Sequence, residues 1–101
     1  MSIVTHHFVE RASRRGLRPC VLQFILAFGI DTRAAGATSW TVVEHLLPPD
    51  LRGTELAERA RDWIVVEGDE GTLVTCYRRT NACRFLREKA HAARRMLPRA
   101  A

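Results

Sequence analysis

Residues 63–79, WIVVEGDEGTLVTCYRR, constrain the fold more than any other stretch of this chain. Two runs of β-branched and aromatic residues, 63–67 and 72–78, flank Gly68-Asp69-Glu70-Gly71. That turn has the length and chemistry that close a β-hairpin. Pairing Glu67 with Thr72 puts Trp63, Val65, Val74, Cys76 and Arg78 on one face. Ile64, Val66, Leu73, Thr75, Tyr77 and Arg79 then share the other. Both faces are apolar near the turn and polar at the Tyr77-Arg78-Arg79 end. A hairpin of this kind belongs inside a sheet covered by helices, with its polar end open to a ligand.

The remaining elements follow from periodicity and punctuation. Residues 4–15 read as a helix that starts at Ser2 or Thr5 and ends at Gly16, with Val4, Phe8 and Ala12 as its apolar stripe and Val9 at the margin. His7, Arg11 and Arg15 recur at i, i+4 and i+8 along the flank of that stripe. Residues 19–28 form a second helix, with Pro19 at the first position and Gly29 suited to a left-handed cap. Apolar residues surround this helix, which predicts burial on most sides. Residues 31–39 are polar and contain glycine, with a weak edge strand at 32–35. Residues 40–47 alternate imperfectly and read as a strand stopped by Pro48-Pro49. Residues 54–61 make a short helix before the hairpin.

After the hairpin, Asn81 caps a helix over 82–97. Its apolar arc holds Phe85, Leu86, Ala90, Ala93, Met96 and Leu97, with Lys89 as an intruder. Arg84, Arg87, His91, Arg94 and Arg95 line the opposite arc. The order predicts an α+β domain: two N-terminal helices, an antiparallel three- to four-stranded sheet ending in a hairpin, and a C-terminal helix. With 101 residues, the chain is long enough for one domain and one core.

Charge is distributed unevenly along the chain. Residues 1–33 carry five arginines against two acids, residues 34–77 three against eight, and residues 78–101 seven arginines and Lys89 against Glu88. Positive ends around an acidic middle are expected of a protein that meets phosphate on one side. The longest apolar run, residues 20–29, is too short for a bilayer span, and no signal-peptide core opens the chain. A cytoplasmic protein without membrane attachment is the expectation. Cys20, Cys76 and Cys83 form an odd set without a CxxC pair, which predicts reduced thiols packed as small hydrophobes. The histidines and cysteines show no metal-ligand spacing, and no glycine loop cradles phosphate, so neither metal nor cofactor is expected.

Two separated motifs carry a family resemblance. The first is His7, Arg11, Arg15, Gly16 and Leu17 after Thr5-His6; the second is Gly71-Thr72-Leu73-Val74-Thr75-Cys76-Tyr77-Arg78, with Gly29 between them. Together they resemble a bacterial domain-of-unknown-function family, number four-two-five-eight. That family opens with His-x-x-x-Arg-x-x-x-Arg-Gly-aliphatic and closes with a strand ending Thr-x-Tyr-Arg. The likeness covers residues 4–79 and leaves out the arginine-rich helix. The family is in turn similar to small toxin-type ribonucleases related to RelE, barnase and colicin nucleases. By that resemblance His7, Arg11, Thr75 and Arg78 become catalytic candidates.

The chemistry of those residue types agrees with the analogy. Metal-independent RNA cleavage needs one group to take the 2′-hydroxyl proton, another to protonate the leaving oxygen, and cations for the charged phosphorane. Histidine titrates near neutrality, and the guanidinium fork fits phosphate. Strict alternation, however, points Thr75 and Arg78 to opposite faces, so that only Arg79 shares Thr75's face unless a bulge re-aims Arg78. Arg15, Tyr77, Arg79, Arg84, Arg87, Arg94 and Arg95 are the candidates for RNA backbone contacts. A second expectation is a non-catalytic module that binds nucleic acid or an acidic protein partner through the same basic face. The bland alternative for the first row is that His7 caps or packs at the helix flank while its arginines pair with the acidic middle segment; for the C-terminal row it is a solvated helix face. An edge strand near residues 32–35 leaves monomer and homodimer both open.

Overall fold

The computed structural model describes residues 4–34 and 36–96, with side chains described through residue 91. Helix α1 (His6–Arg14) begins where Thr5 Oγ1 accepts the Phe8 N–H at 3.1 Å. That bond satisfies one of the amides left unpaired at a helix start. Gly16, at φ +85°, carries the chain out of the helix in a conformation that favours glycine. Helix α2 (Pro19–Phe28) has its proline in the first turn, where no amide is required. The left-handed cap expected at Gly29 is not formed, because φ is −72° and ψ 159°. A Cβ at Gly29 would lie 2.4 Å from the Ile25 carbonyl oxygen and 3.0 Å from that of Thr41. Close backbone approach, rather than conformation, excludes a side chain there.

Strands β1 (Ile30–Ala34), β2 (Ala37–Thr41), β3 (Trp63–Gly68) and β4 (Leu73–Arg78) form one antiparallel sheet in sequential order. Helix α3 (Glu55–Ala60) starts at Thr54, whose Oγ1 accepts the Ala57 N–H at 3.3 Å. Helix α4 (Ala82–Met96) follows the hairpin. Phe8 and Ala12 of α1, Val21, Phe24 and Ile25 of α2, and Ala57 and Ala60 of α3 pack with Trp63, Val65, Leu73 and Cys76 on one face. Ala82, Phe85 and Leu86 of α4 pack with Ile64, Val66 and Tyr77 on the other. The domain is thus α+β, with helices on both faces of a four-stranded sheet.

The hairpin differs from simple alternation at one place. Val66 pairs with Thr75 but Glu67 pairs with Leu73, so a bulge at Val74 interrupts the ladder. The bulge moves Leu73 to the face of Trp63 and Val65, where it is buried, and leaves Val74 51% exposed. Alternation assigns these two residues the reverse way.

Residues 40–47 do not form one strand. β2 ends at Thr41 and residues Glu44–Leu46 coil into a 3-10 turn that brings Leu47 into the core. The Arg52 guanidinium donates to the carbonyls of Leu47 at 3.0 Å and His45 at 2.9 Å. Those side-chain bonds replace the pairing a longer strand would supply. Upstream, the polar stretch is a full hairpin, with Ala34 opposite Ala37 and Ile30 opposite Thr41. α2 buries only one side, since Val21, Phe24 and Ile25 are covered while Cys20, Gln23 and Phe28 are exposed. Among the thiols Cys20 is exposed, Cys83 half-buried and only Cys76 fully buried; all three are free. No helix among the described residues is long and apolar enough to cross a membrane.

Candidate functional site

α1 packs against β4, which is an edge strand of the sheet. From the end of α1, Arg15 reaches the rim of that strand, where Nη1 donates to the Cys76 carbonyl and lies 3.4 Å from Thr75 Oγ1. The guanidinium thus meets the Cys76 main chain and the Thr75 side chain together at the sheet edge. Arg78 stays on the Trp63 face, 5.7 Å from the centre of that ring. The bulge lies at Val74, too early in the strand to re-aim it.

A cleft of about 450 Å³ opens beside Arg78. Arg15, Arg18, Arg59 and Arg78 line it together with Glu55 and Glu58, and buried Trp63 lies among its walls. The four guanidiniums arrive from the end of α1, the start of α2, from α3 and from β4. Glu55 takes two hydrogen bonds from Arg59, at 3.0 and 2.6 Å. Glu58 stands 4.0 Å from Arg61, whose carbonyl lies 3.5 Å from Arg78 Nη2. Two carboxylates among four guanidiniums leave the cleft positive, with the Arg18 guanidinium joined to no hydrogen-bond or ion-pair partner among the described residues. A larger apolar groove of about 530 Å³ between α1 and α2 has Arg18 as its only charged lining residue among those described.

The other candidate residues lie elsewhere. His7 is exposed, and eight residues at about 1.5 Å rise separate it from Arg15 by about 12 Å along α1. It does not line the cleft. Arg11 is also exposed, but near enough to Cys76 to act on its thiol. Arg79 lies on the opposite face, 3.9 Å from the Phe85 ring centre, and Tyr77 packs edge-on to the same ring. Arg84 is held by Glu88 at 3.2 Å, as a solvated helix face would hold it, and Arg87 is exposed. Arg94 and Arg95, with the expected apolar contacts of Ala93, Met96 and Leu97, lie outside the described side chains.

Arg18 and Arg59 entered no sequence motif. Arg18 precedes the proline of α2 and therefore sits at a helix start, which was legible. Arg59 is an ordinary helix residue four positions after Glu55, and nothing local distinguishes it from a surface ion pair.

Burial pushes the Cys76 thiol above its ordinary pKa, while Arg15 and then Arg11 oppose the shift. Burial also raises the Tyr77 hydroxyl, against the nearby Arg79. Both groups keep their protons in the folded chain at pH values where the unfolded chain has released them. Their contribution is therefore intact below the ordinary thiol pKa, about 8.5, and declines as pH rises past it. Urea unfolding under reductant should give a lower midpoint at pH 9.5 than at pH 7.5. A midpoint that rises over this interval would contradict the assignment.

Among the described residues, no group of three or more histidine, cysteine, aspartate or glutamate side chains is placed to hold a metal ion. No family model, no curated protein and no solved structure matches this chain.

Proposed function

We propose that this protein is a small RNA-binding domain on a toxin-type ribonuclease scaffold, with the phosphate backbone held in the arginine cleft. The observation that carries the reading is the meeting of Arg15, Arg18, Arg59 and Arg78 from four separate elements at one cleft. Guanidiniums gathered from distant parts of a chain repel one another, and a bound polyanion relieves that repulsion. The resemblance of residues 4–79 to a ribonuclease-like family points to the same ligand. Backbone contacts of this kind confer affinity without sequence preference.

Binding, rather than cleavage, is the activity this geometry favours. A proton-transfer group must stand within hydrogen-bond reach of the scissile phosphate. His7 is about two helical turns from Arg15. The carboxylates within the cleft face Arg59 and Arg61. We place the protein in the cytoplasm, where its three free thiols stay reduced.

Fluorescence anisotropy with a labelled single-stranded RNA tests the proposal. Arg18→Ala and Arg78→Ala should each weaken binding and lower the slope of log affinity against log salt by about 0.7. Arg87→Ala, on α4, should change neither. Equal losses for all three variants would move the interface off the cleft. Incubation with total RNA and a chelator then separates binding from catalysis. Cleavage by wild type that His7→Ala abolishes would establish a metal-independent ribonuclease instead. Failure to bind RNA, with retained binding to an acidic protein, would favour the interaction-module reading.

A further inference from the structure

The two edges of the sheet are finished differently. β4 carries the bulge at Val74, and Arg15 occupies the Cys76 carbonyl on its rim. Both devices deter a further strand from adding there. β1 pairs with β2 without interruption over all five of its residues. It contains no proline, lysine or bulge.

α4 packs against β1, and no strand among those described pairs with its outer edge; the register shows what that edge accepts. Asp31 lies opposite Trp40, which lies opposite Val65, so Asp31 and Arg33 share the face of the main core. Both are exposed, while Ile30, Thr32 and Ala34 are half-buried on the other face. The strand sequence Ile-Asp-Thr-Arg-Ala is complementary to itself when reversed about Thr32. In an antiparallel pair of two such strands, Asp31 of each copy faces Arg33 of the other. Ile30 faces Ala34, and Thr32 faces Thr32. Directly opposed charges of unlike sign favour a register, and like charges oppose it. Arg33 is also hydrogen-bonded to Asp69 of the β3–β4 turn, which ties its guanidinium to this face of the sheet.

We propose that the chain forms a two-fold symmetric homodimer through antiparallel β1–β1 pairing, centred on Thr32. The interface is isologous, and each copy supplies both halves of two identical ion pairs. Pairing yields a continuous eight-stranded sheet in which both β1 edges are paired. The arginine clefts then lie near the two outer edges, separated by seven strand spacings, or on the order of 30 Å.

Charge reversal tests both the partner and the register. Sedimentation equilibrium of the wild-type chain should show a concentration-dependent dimer. Asp31→Arg alone and Arg33→Asp alone should each raise the dimer dissociation constant at least tenfold, because each opposes like charges at both pairs. An equimolar mixture of D31R and R33D should form a heterodimer, since every reversed charge then meets its opposite. That recovery excludes misfolding as the cause of the single losses. If either variant fails to fold by circular dichroism, Thr32→Cys in a Cys20→Ser background serves instead. Residues opposed on a two-fold axis lie within disulfide reach, so mild oxidation should link the copies through position 32. A wild-type chain still monomeric at about 100 μM would overturn the proposal. So would a dimer that resists both reversals, or one that does not cross-link through position 32.

Discussion

Phe8→Ala should lower the unfolding free energy by about 3–5 kcal/mol, the cost of deleting a buried aromatic ring. Phe8 is 1% exposed and belongs to the same core cluster as Leu73 and Cys76 of β4. A single domain holds only about 5–15 kcal/mol in total, so this one change would remove a large share. The loss should also reach function, because α1 carries Arg15 to the strand rim and cleft. Urea titration followed by circular dichroism measures the first effect, and RNA anisotropy below the unfolding transition measures the second. Val9→Ala, one residue away but 44% exposed, is the control and should change stability by under about 0.5 kcal/mol. A loss below about 1 kcal/mol for Phe8→Ala would mean that α1 is not docked on the sheet as described.

Gly29→Ala should destabilise by about 1–3 kcal/mol through overpacking, although it adds only a methyl group to the chain. The methyl carbon would sit 2.4 Å from the Ile25 carbonyl oxygen and 3.0 Å from that of Thr41. Neither atom is the end of a flexible side chain, so the junction between α2 and β1 has to open. The proper comparison is Gly16→Ala. Gly16 has φ +85° with nothing within 4 Å of the added atom, so the cost there comes from backbone conformation alone. That cost is about 1–2 kcal/mol. The two variants should also differ in character. Gly29→Ala should displace β1 and weaken self-association, whereas Gly16→Ala should leave dimerisation untouched. Equal dimer affinities for the two variants, with β1 undisturbed, would refute the role assigned to the Gly29 approach.

The arginine cleft and the β1 edge have separable consequences. In the proposed readings, RNA contacts would depend on Arg18 and Arg78, and pairing on Asp31 and Arg33. Charge changes at one should leave the other intact, since they stand at opposite sides of the sheet. If both readings hold, dimerisation joins two clefts to one RNA and steepens binding by raising the effective concentration of the second contact.

The elements specified by local chemistry were legible from residues alone. Pro19 and the apolar run after it mark α2 over the span that forms, because proline presets the first helical dihedral and needs no amide partner. The β-branched runs around Gly68-Asp69-Glu70-Gly71 mark β3 and β4 for a similar reason, since turn and strand preferences there agree. What tertiary structure decided depends on partners distant in sequence. The bulge at Val74 exchanges the faces of Leu73 and Val74, and no alternation count contains it. Residues 42–47 leave the sheet because Leu47 gains burial and Arg52 supplies the missing hydrogen bonds. The edge strand read at 32–35 forms as Ile30–Ala34, and what tertiary pairing adds is its complete ladder with β2. The cleft belongs to the same class. Arg15 and Arg78 were visible as motif residues, but Arg18 and Arg59 joined them only when helix packing on the sheet brought four elements together, while the length of α1 kept His7 apart. Local sequence specified which segments are helices and strands; long-range packing chose the register, the faces and the company each arginine keeps.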